Sequence, residues 1–279
     1  MVMKILLIIA ASAIALFLIL LLMRLRYKRL VKEIWRSLKI SCTELVFTKD
    51  MVADLDEPVR RYLLHAIAPG TSLAGYVQLT MKGQFRLKPD AEWLPMRASQ
   101  IISTAPGFTT APGFIWQAKV GKGLMNFSGA DYYYCDRGRT KFSLWSFIPL
   151  VDAQSKDVNR SAAGRLAAEY IWLPSALLPQ NGVTWKAIAE NTIQASFKLN
   201  NEPIVLTLNI DAEGKLIEIS LPRWSDAKEA GWRYSIFIAQ VEAEQTFHGY
   251  TVPSSVSAGW LNTDRTWIFF RSNIQTAFE

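Results

Sequence analysis

The first pattern in the chain is an absence of polarity. Ile5 to Met23 is nineteen residues without a charge, and Ser12 is the only hydroxyl among them. Coiled as a helix, such a run covers about 28 Å, close to the ~30 Å hydrocarbon thickness of a bilayer. A signal peptide has an apolar stretch of only about 7–15 residues followed by a small-residue cleavage site. Here the run ends directly in Met23-Arg24-Leu25-Arg26, and no lipobox cysteine follows. The pattern predicts an uncleaved, single membrane-spanning anchor. Beyond it Leu30, Ile34 and Leu38 recur every four residues with Val31 and Trp35 beside them, while Arg and Lys fill the other side. That spacing continues the helix over 24–40. The stripe is either a basic amphipathic face on anionic headgroups or a solvated linker helix.

After residue 40 the period changes. Asp54 or Asp56 caps a short helix with Pro58 in its first turn and Val59, Tyr62, Leu63 and Ile67 on one face. Strand patterns then follow at 76–87, 96–104, 114–120, 124–133 and 139–145, each bounded by Gly, Pro or Asp. A helix from Ser161, with Leu166, Ala167, Tyr170 and Ile171 as its apolar face, stops at Pro174. Alternating strands resume at 192–199, 204–210, 216–221, 232–245, 251–260 and 265–276, with turns at 200–203, 211–215, His248-Gly249 and Asn262–Asp264. The prediction is an α+β chain: residues 1–39 form the anchor and basic juxtamembrane helix, and 40–279 form one soluble domain. A curved antiparallel meander with a few packed helices dominates that domain.

Charge changes the picture only once it is located. The net charge is +7, from 31 basic and 24 acidic residues. Residues 1–39 hold eight of the basic residues against one acid, Glu33, which leaves 23 of each sign in the rest. The basicity therefore belongs to the membrane flank, and nucleic-acid binding loses its electrostatic footprint. The same asymmetry places the domain in the cytoplasm by the positive-inside rule, with the periplasmic or extracellular face as the alternative. Cys42 and Cys135 lack metal or redox spacing and read as free thiols.

Specific chemistry is sparse. His65 and His248 have no ligand-spaced neighbours, no metal or cofactor motif is present, and there is no nucleophile elbow or phosphate loop. His65 is expected on the surface of its helix. Arg165 and Glu169, at i and i+4, face one side of the predicted helix. If buried, the pair is either a fold-fixing ion pair or an acid available for chemistry, with Asp131 as its second carboxylate. Trp116, Tyr132, Trp145 and Trp172 are candidate walls of an apolar pocket whose polar end is Arg165 and Glu169. Core packing is the alternative for all four.

Several blocks resemble a bacterial family known only as a domain of unknown function: Trp93–Gln100, Pro112–Ala118, Asp131–Tyr133, Pro149–Ala153, Gly182–Trp185, and above all Arg165–Pro179. The resemblance spans roughly residues 44–279 and departs at Trp224–Trp232 and at Thr109–Ala111. It implies an apolar anchor with an Arg-rich flank and brings no activity with it. In architecture alone the chain is similar to lipoprotein-carrier and lipid-binding envelope proteins. The expected function is a membrane-tethered module binding an apolar or lipid-like ligand. The alternatives are an acid–base enzyme using Glu169 and Asp131, and a non-catalytic envelope scaffold. Oligomeric state is not legible.

Overall fold

The computed structural model describes residues 2–39, 45–104, 112–226, 231–261 and 266–278. Cys42, the Thr109–Ala111 insertion and the Asn262–Asp264 turn lie outside the described residues.

The apolar run and the basic stretch form one unbroken helix, α1 (Val2–Ser37). Among the described residues it alone is long and apolar enough to cross a membrane, and none of its most apolar window is buried in the rest of the chain. Its second half behaves differently. Val31, Ile34 and Leu38 are buried against Tyr76, Ile101, Ile115, Ala130 and Tyr132 of the sheet, and the Tyr27 hydroxyl donates to the Ala130 carbonyl at 3.3 Å. The apolar stripe read from the sequence as a headgroup-facing or solvated surface is thus a protein–protein contact. Burying an aliphatic side chain is worth roughly 1.5–3 kcal/mol, and the sheet offers these three an aromatic partner surface.

The rest is a single antiparallel sheet of 13 strands. Its first half is β1 (Tyr76–Phe85), β2 (Leu94–Ser103), β3 (Gly113–Lys122), β4 (Met125–Tyr134), β5 (Arg137–Leu144) and β6 (Ile148–Ala153). Its second half is β7 (Thr184–Ala189), β8 (Thr192–Leu199), β9 (Glu202–Ile210), β10 (Leu216–Asp226), β11 (Trp232–Phe247), β12 (Tyr250–Leu261) and β13 (Thr266–Phe278). The two halves are meanders joined where β1 pairs with β13, which leaves β6 and β7 at the edges. Two of these strands, β6 and β7, are absent from the sequence reading. Pro149 interrupts the first, and Ile188, apolar at an outward position, breaks the alternation of the second.

Two helices occupy the concave side. α2 (Glu57–Ala66) buries Val59, Tyr62 and Leu63. Its N-cap is Asp56, but that carboxylate accepts the Ala187 N–H at 3.0 Å instead of capping its own helix. α3 (Lys156–Glu169) begins five residues before the predicted Ser161, because Ser155 caps it by accepting the Val158 N–H at 3.2 Å. Its polar first turn misled the pattern. Those side chains dock the helix: Asp157 accepts the Trp224 indole N–H at 2.9 Å and Asn159 accepts the Gly138 N–H at 2.8 Å. α3 touches β4 and β5 in one half of the sheet and β8, β9 and β10 in the other, so the sheet curls around it. Short 3-10 turns at Tyr170–Trp172, Pro174–Leu177 and Pro179–Asn181 follow.

Two further expectations are corrected or located. His65 is not a plain surface histidine: its Nε2 lies 2.9 Å from Glu244 Oε2, and Glu244 Oε1 accepts the Leu216 N–H. Cys135 is an exposed free thiol.

Candidate functional site

The inward row of a strand is normally apolar, and three of four neighbouring strands break that rule at one level, the fourth carrying a tryptophan. Thr140 on β5 stands opposite Asp131 on β4, Asp131 opposite Trp116 on β3, and Trp116 opposite Gln100 on β2. Each occupies an inward position between apolar neighbours, as Gln100 does between Ala98 and Ile102. α3 lowers Arg165 and Glu169 onto this row. The Arg165 guanidinium donates to Asp131 Oδ2 at 2.5 Å and, through Nε, to Glu169 Oε1 at 2.7 Å. Thr140 donates to Asp131 Oδ1 at 2.9 Å, and the Gln100 amide donates to Glu169 Oε2. All four carboxylate oxygens therefore accept a hydrogen bond. The guanidinium also stacks at 4.8 Å on Phe114 and 5.0 Å on Trp116.

A second cation, Arg223 on β10, completes the group. Its Nε donates to the Ser161 carbonyl at 3.1 Å, and its guanidinium lies over Phe237 and Trp260. Among the described residues no carboxylate comes within ion-pair distance of it. Gly164 on α3 makes room for this arginine: a Cβ there would lie 2.9 Å from Arg223 Cγ. Burial, and then the positive charge of Arg165, bring Arg223 down to about 10. Burial also raises the Glu169 carboxyl above its ordinary range, against the opposing pull of Arg165. For Arg165 itself the two carboxylates outweigh burial and hold the guanidinium more firmly protonated.

The cluster is the inner end of a cavity of about 710 Å³ between the concave face and α3. That is within the usual range for small-molecule pockets. Its walls are Trp116, Phe127, Phe142, Trp172, Phe237 and Trp260, among other apolar residues, and it runs toward Leu87, Met125, Leu150 and Val151. Two polar atoms in its floor are buried without a partner, Trp116 Nε1 and Gln100 Oε1.

Of the residues singled out from the sequence, Asp131, Trp116, Arg165, Glu169 and Trp172 converge here. The Trp172 indole also ties the following turn to the Pro253 carbonyl at 2.9 Å. Two do not. Tyr132 points to the convex face, where it packs under α1, because its neighbour Asp131 takes the inward position. Trp145 is half exposed in the β5–β6 turn, at a positive φ of 49°. Arg223, Gln100 and Thr140 escaped the sequence reading. The available signal was a polar residue continuing an inward row, as in Ile219-Leu221-Arg223.

Residues 45–272 match a family of unknown function (DUF6544), and the chain belongs to that family. No curated protein matches it by sequence. Among solved structures it is similar to a LolA superfamily protein, NE2245, from Nitrosomonas europaea, at 8% identity over 79% of this chain and 90% of that one, with a TM-score of 0.39. It is also similar to a porin-like protein from Bacteroides uniformis, at 7% identity over 75% and 98% of the two chains, with a TM-score of 0.28. Likenesses of that size carry no argument about what the cavity holds.

Proposed function

We propose that this protein is a membrane-anchored binding module whose cavity takes a lipid-like amphiphile, with the acyl portion among the aromatic walls and the head at the charged floor. The observation that carries this reading is the cavity's polarity: an aromatic and aliphatic tube ends on Arg223, which among the described residues has no carboxylate within ion-pair distance, beside the unpartnered indole N–H of Trp116. Buried polar groups normally find partners, and a buried cation normally finds a counter-charge. An acidic or strongly hydrogen-bonding headgroup would satisfy both. Trp116, Arg165, Glu169 and Trp172 act as ligand-contacting residues in this reading, joined by Arg223. The anchor is α1, through residues 5–23 and the basic flank that follows.

The test is photo-crosslinking of the full-length protein in cells. A photoreactive phenylalanine analogue replaces Phe142, and the lipids carry labelled acyl chains. The expected result is a covalent acyl adduct at Phe142 that is lost with Arg223→Met. If no adduct forms at Phe142, while the same analogue at Phe17 in α1 becomes labelled, the binding reading is wrong.

Acid–base chemistry by Glu169 and Asp131 is the second reading, and the two carboxylates do share one cleft through Arg165. Because each of their oxygens already accepts a donor from the protein, the geometry favours an anchoring role over proton transfer. The side of the membrane is read separately: the charge rule puts the domain in the cytoplasm, and a reporter fused to the C-terminus checks it.

A further inference from the structure

The two ends of the rolled sheet are built differently. At one end lie the β2–β3, β4–β5 and β11–β12 connections, and α2 covers it through the Ile67–Tyr250 bridge. At the other lie the β1–β2, β3–β4 and β5–β6 hairpin tips, and here the cavity runs out between Leu87, Met125, Leu150 and Val151. α1 lies across the convex face from the first end to the second. Leu38 sits beside Gly113 at the covered end, Tyr27 beside Ala130 in the middle, and Arg24 at 4.6 Å over the Phe147 ring at the open end. The helix then leaves the domain as the apolar run. Phe17, well inside that run, still touches Phe147, with ring centroids 5.9 Å apart.

We propose that the open end of the sheet is a bilayer-docking surface, so that the cavity exchanges its ligand directly with the leaflet in which α1 is anchored. This rests on the lipid-binding reading for what is exchanged, but the docking geometry has its own support. A helix that carries a domain by a rigid contact also fixes its height. Phe147, in the β5–β6 turn, is held against a residue of the membrane-spanning run, and the neighbouring tips must stand at a similar level. Those tips present Leu124 at 80% exposure and Leu150 at 55%, with Met125, Trp145 and Ile148 also exposed. Aliphatic and Trp side chains at such positions are suited to the headgroup–acyl boundary. The covered end also exposes apolar side chains, Leu45, Ile188 and Ile217, but neither the cavity mouth nor the helix exit lies there.

Charge agrees with placement on an anionic surface. Between α1 and the convex face a groove of about 1540 Å³ is lined by seven basic side chains, Arg24, Lys28 and Lys32 from the helix and Lys82, Arg97, Lys119 and Lys141 from the sheet. No acidic residue lines it, although Lys141 itself pairs with Asp152. A row of cations this close to the surface favours acidic phospholipid by about 1 kcal/mol each. The direction of the cavity matters as well. Its apolar mouth faces the bilayer and its charged floor lies farther away, the same order in which a leaflet lipid presents tail and head. A lipid sliding upward into the cavity would keep its orientation and need not invert.

The experiment uses the full chain in vesicles of phosphatidylcholine with or without phosphatidylglycerol, in a Cys42→Ser, Cys135→Ser background. Environment-sensitive labels are attached at Leu124→Cys, Leu150→Cys and, for the covered end, Glu213→Cys. Brominated acyl chains should remove about half the emission at 124 and 150 and leave 213 unchanged, as expected for side chains about 5–10 Å into the interface. Quenching at the tips should deepen when phosphatidylglycerol is present. Tip labels quenched no more than the label at 213 overturn docking. In the same vesicles, Leu124→Asp with Ile148→Asp, both at exposed tip positions outside the cavity lining, should slow entry of a fluorescent phospholipid into the cavity by about tenfold, a barrier rise of ~1.4 kcal/mol, while occupancy in detergent is unchanged. Quenched tips on a protein whose cavity takes no lipid in detergent would uphold docking and overturn the lipid-binding reading. An unchanged entry rate in the double variant would overturn direct exchange.

Discussion

The two faces of this sheet follow the same alternation and use it in opposite ways. On the convex side, at β1 to β4, Tyr76, Ile101, Ile115 and Tyr132 form a dry apolar floor, and α1 covers it with Val31, Ile34 and Leu38. On the concave side the row one residue away carries Gln100, Trp116 and Asp131, and α3 adds a charged pair where the convex side adds aliphatics. At that patch the convex face is closed by packing, whereas the concave row keeps a cavity. Burying ion pairs is a poor route to stability when hydrophobic residues of the same volume would serve. That contrast supports the binding reading proposed above, and the comparison can be broken or sharpened by experiment.

The largest effect should come from Arg165→Met. It leaves two carboxylates buried without their cation and should cost about 3–5 kcal/mol, read by urea unfolding of the full chain in micelles through Trp emission. A loss under about 1 kcal/mol would mean that the cluster is solvated. On the opposite face, Leu38→Ala should cost about 3 kcal/mol in the same assay and leave acyl cross-linking at Phe142 intact, which separates packing from binding. Ala168→Phe projects a ring into the cavity. Because the cavity has room for the ring without displacing packed side chains, stability should change by less than about 1 kcal/mol while the cross-link disappears.

The smallest effect concerns pH. The His65 imidazolium is held above its usual pKa chiefly by its hydrogen bond to Glu244, against partial burial. A group with a raised folded pKa adds stability that is fully present below its unfolded value, near 6.5, and that fades as pH rises through the folded value. His65→Gln should therefore flatten the fall in melting temperature across that window and leave stability above it nearly unchanged.

How much of this was legible in the chain can be argued from particular residues. The nineteen-residue apolar run and the β8–β10 meander were readable as local patterns repeated several times, and the start of α2 was readable from Pro58 in its first turn. Edge strands β6 and β7 were not, because Pro149 and Ile188 blur a short alternation. The Arg165–Glu169 pair was visible from i, i+4 spacing. Its partners Asp131 and Gln100, and the neighbouring Arg223, lie on three different strands, brought together by the fold.

By itself the sequence determined the α1 helix, the antiparallel texture, the neutral charge balance of the domain and a short set of candidate residues, since these depend on neighbours a few positions away. It also determined that Tyr132 and Tyr133 face opposite sides. Which side is concave was decided only by the sheet curling around α3, so Tyr132 was assigned to the cavity and belongs under α1. The tertiary structure likewise decided that the stripe on α1 packs on protein, and that charged and polar groups from α3 and four strands meet at one floor. A period of two fixes alternation but carries no sign, and the sign comes from contacts made across the whole fold.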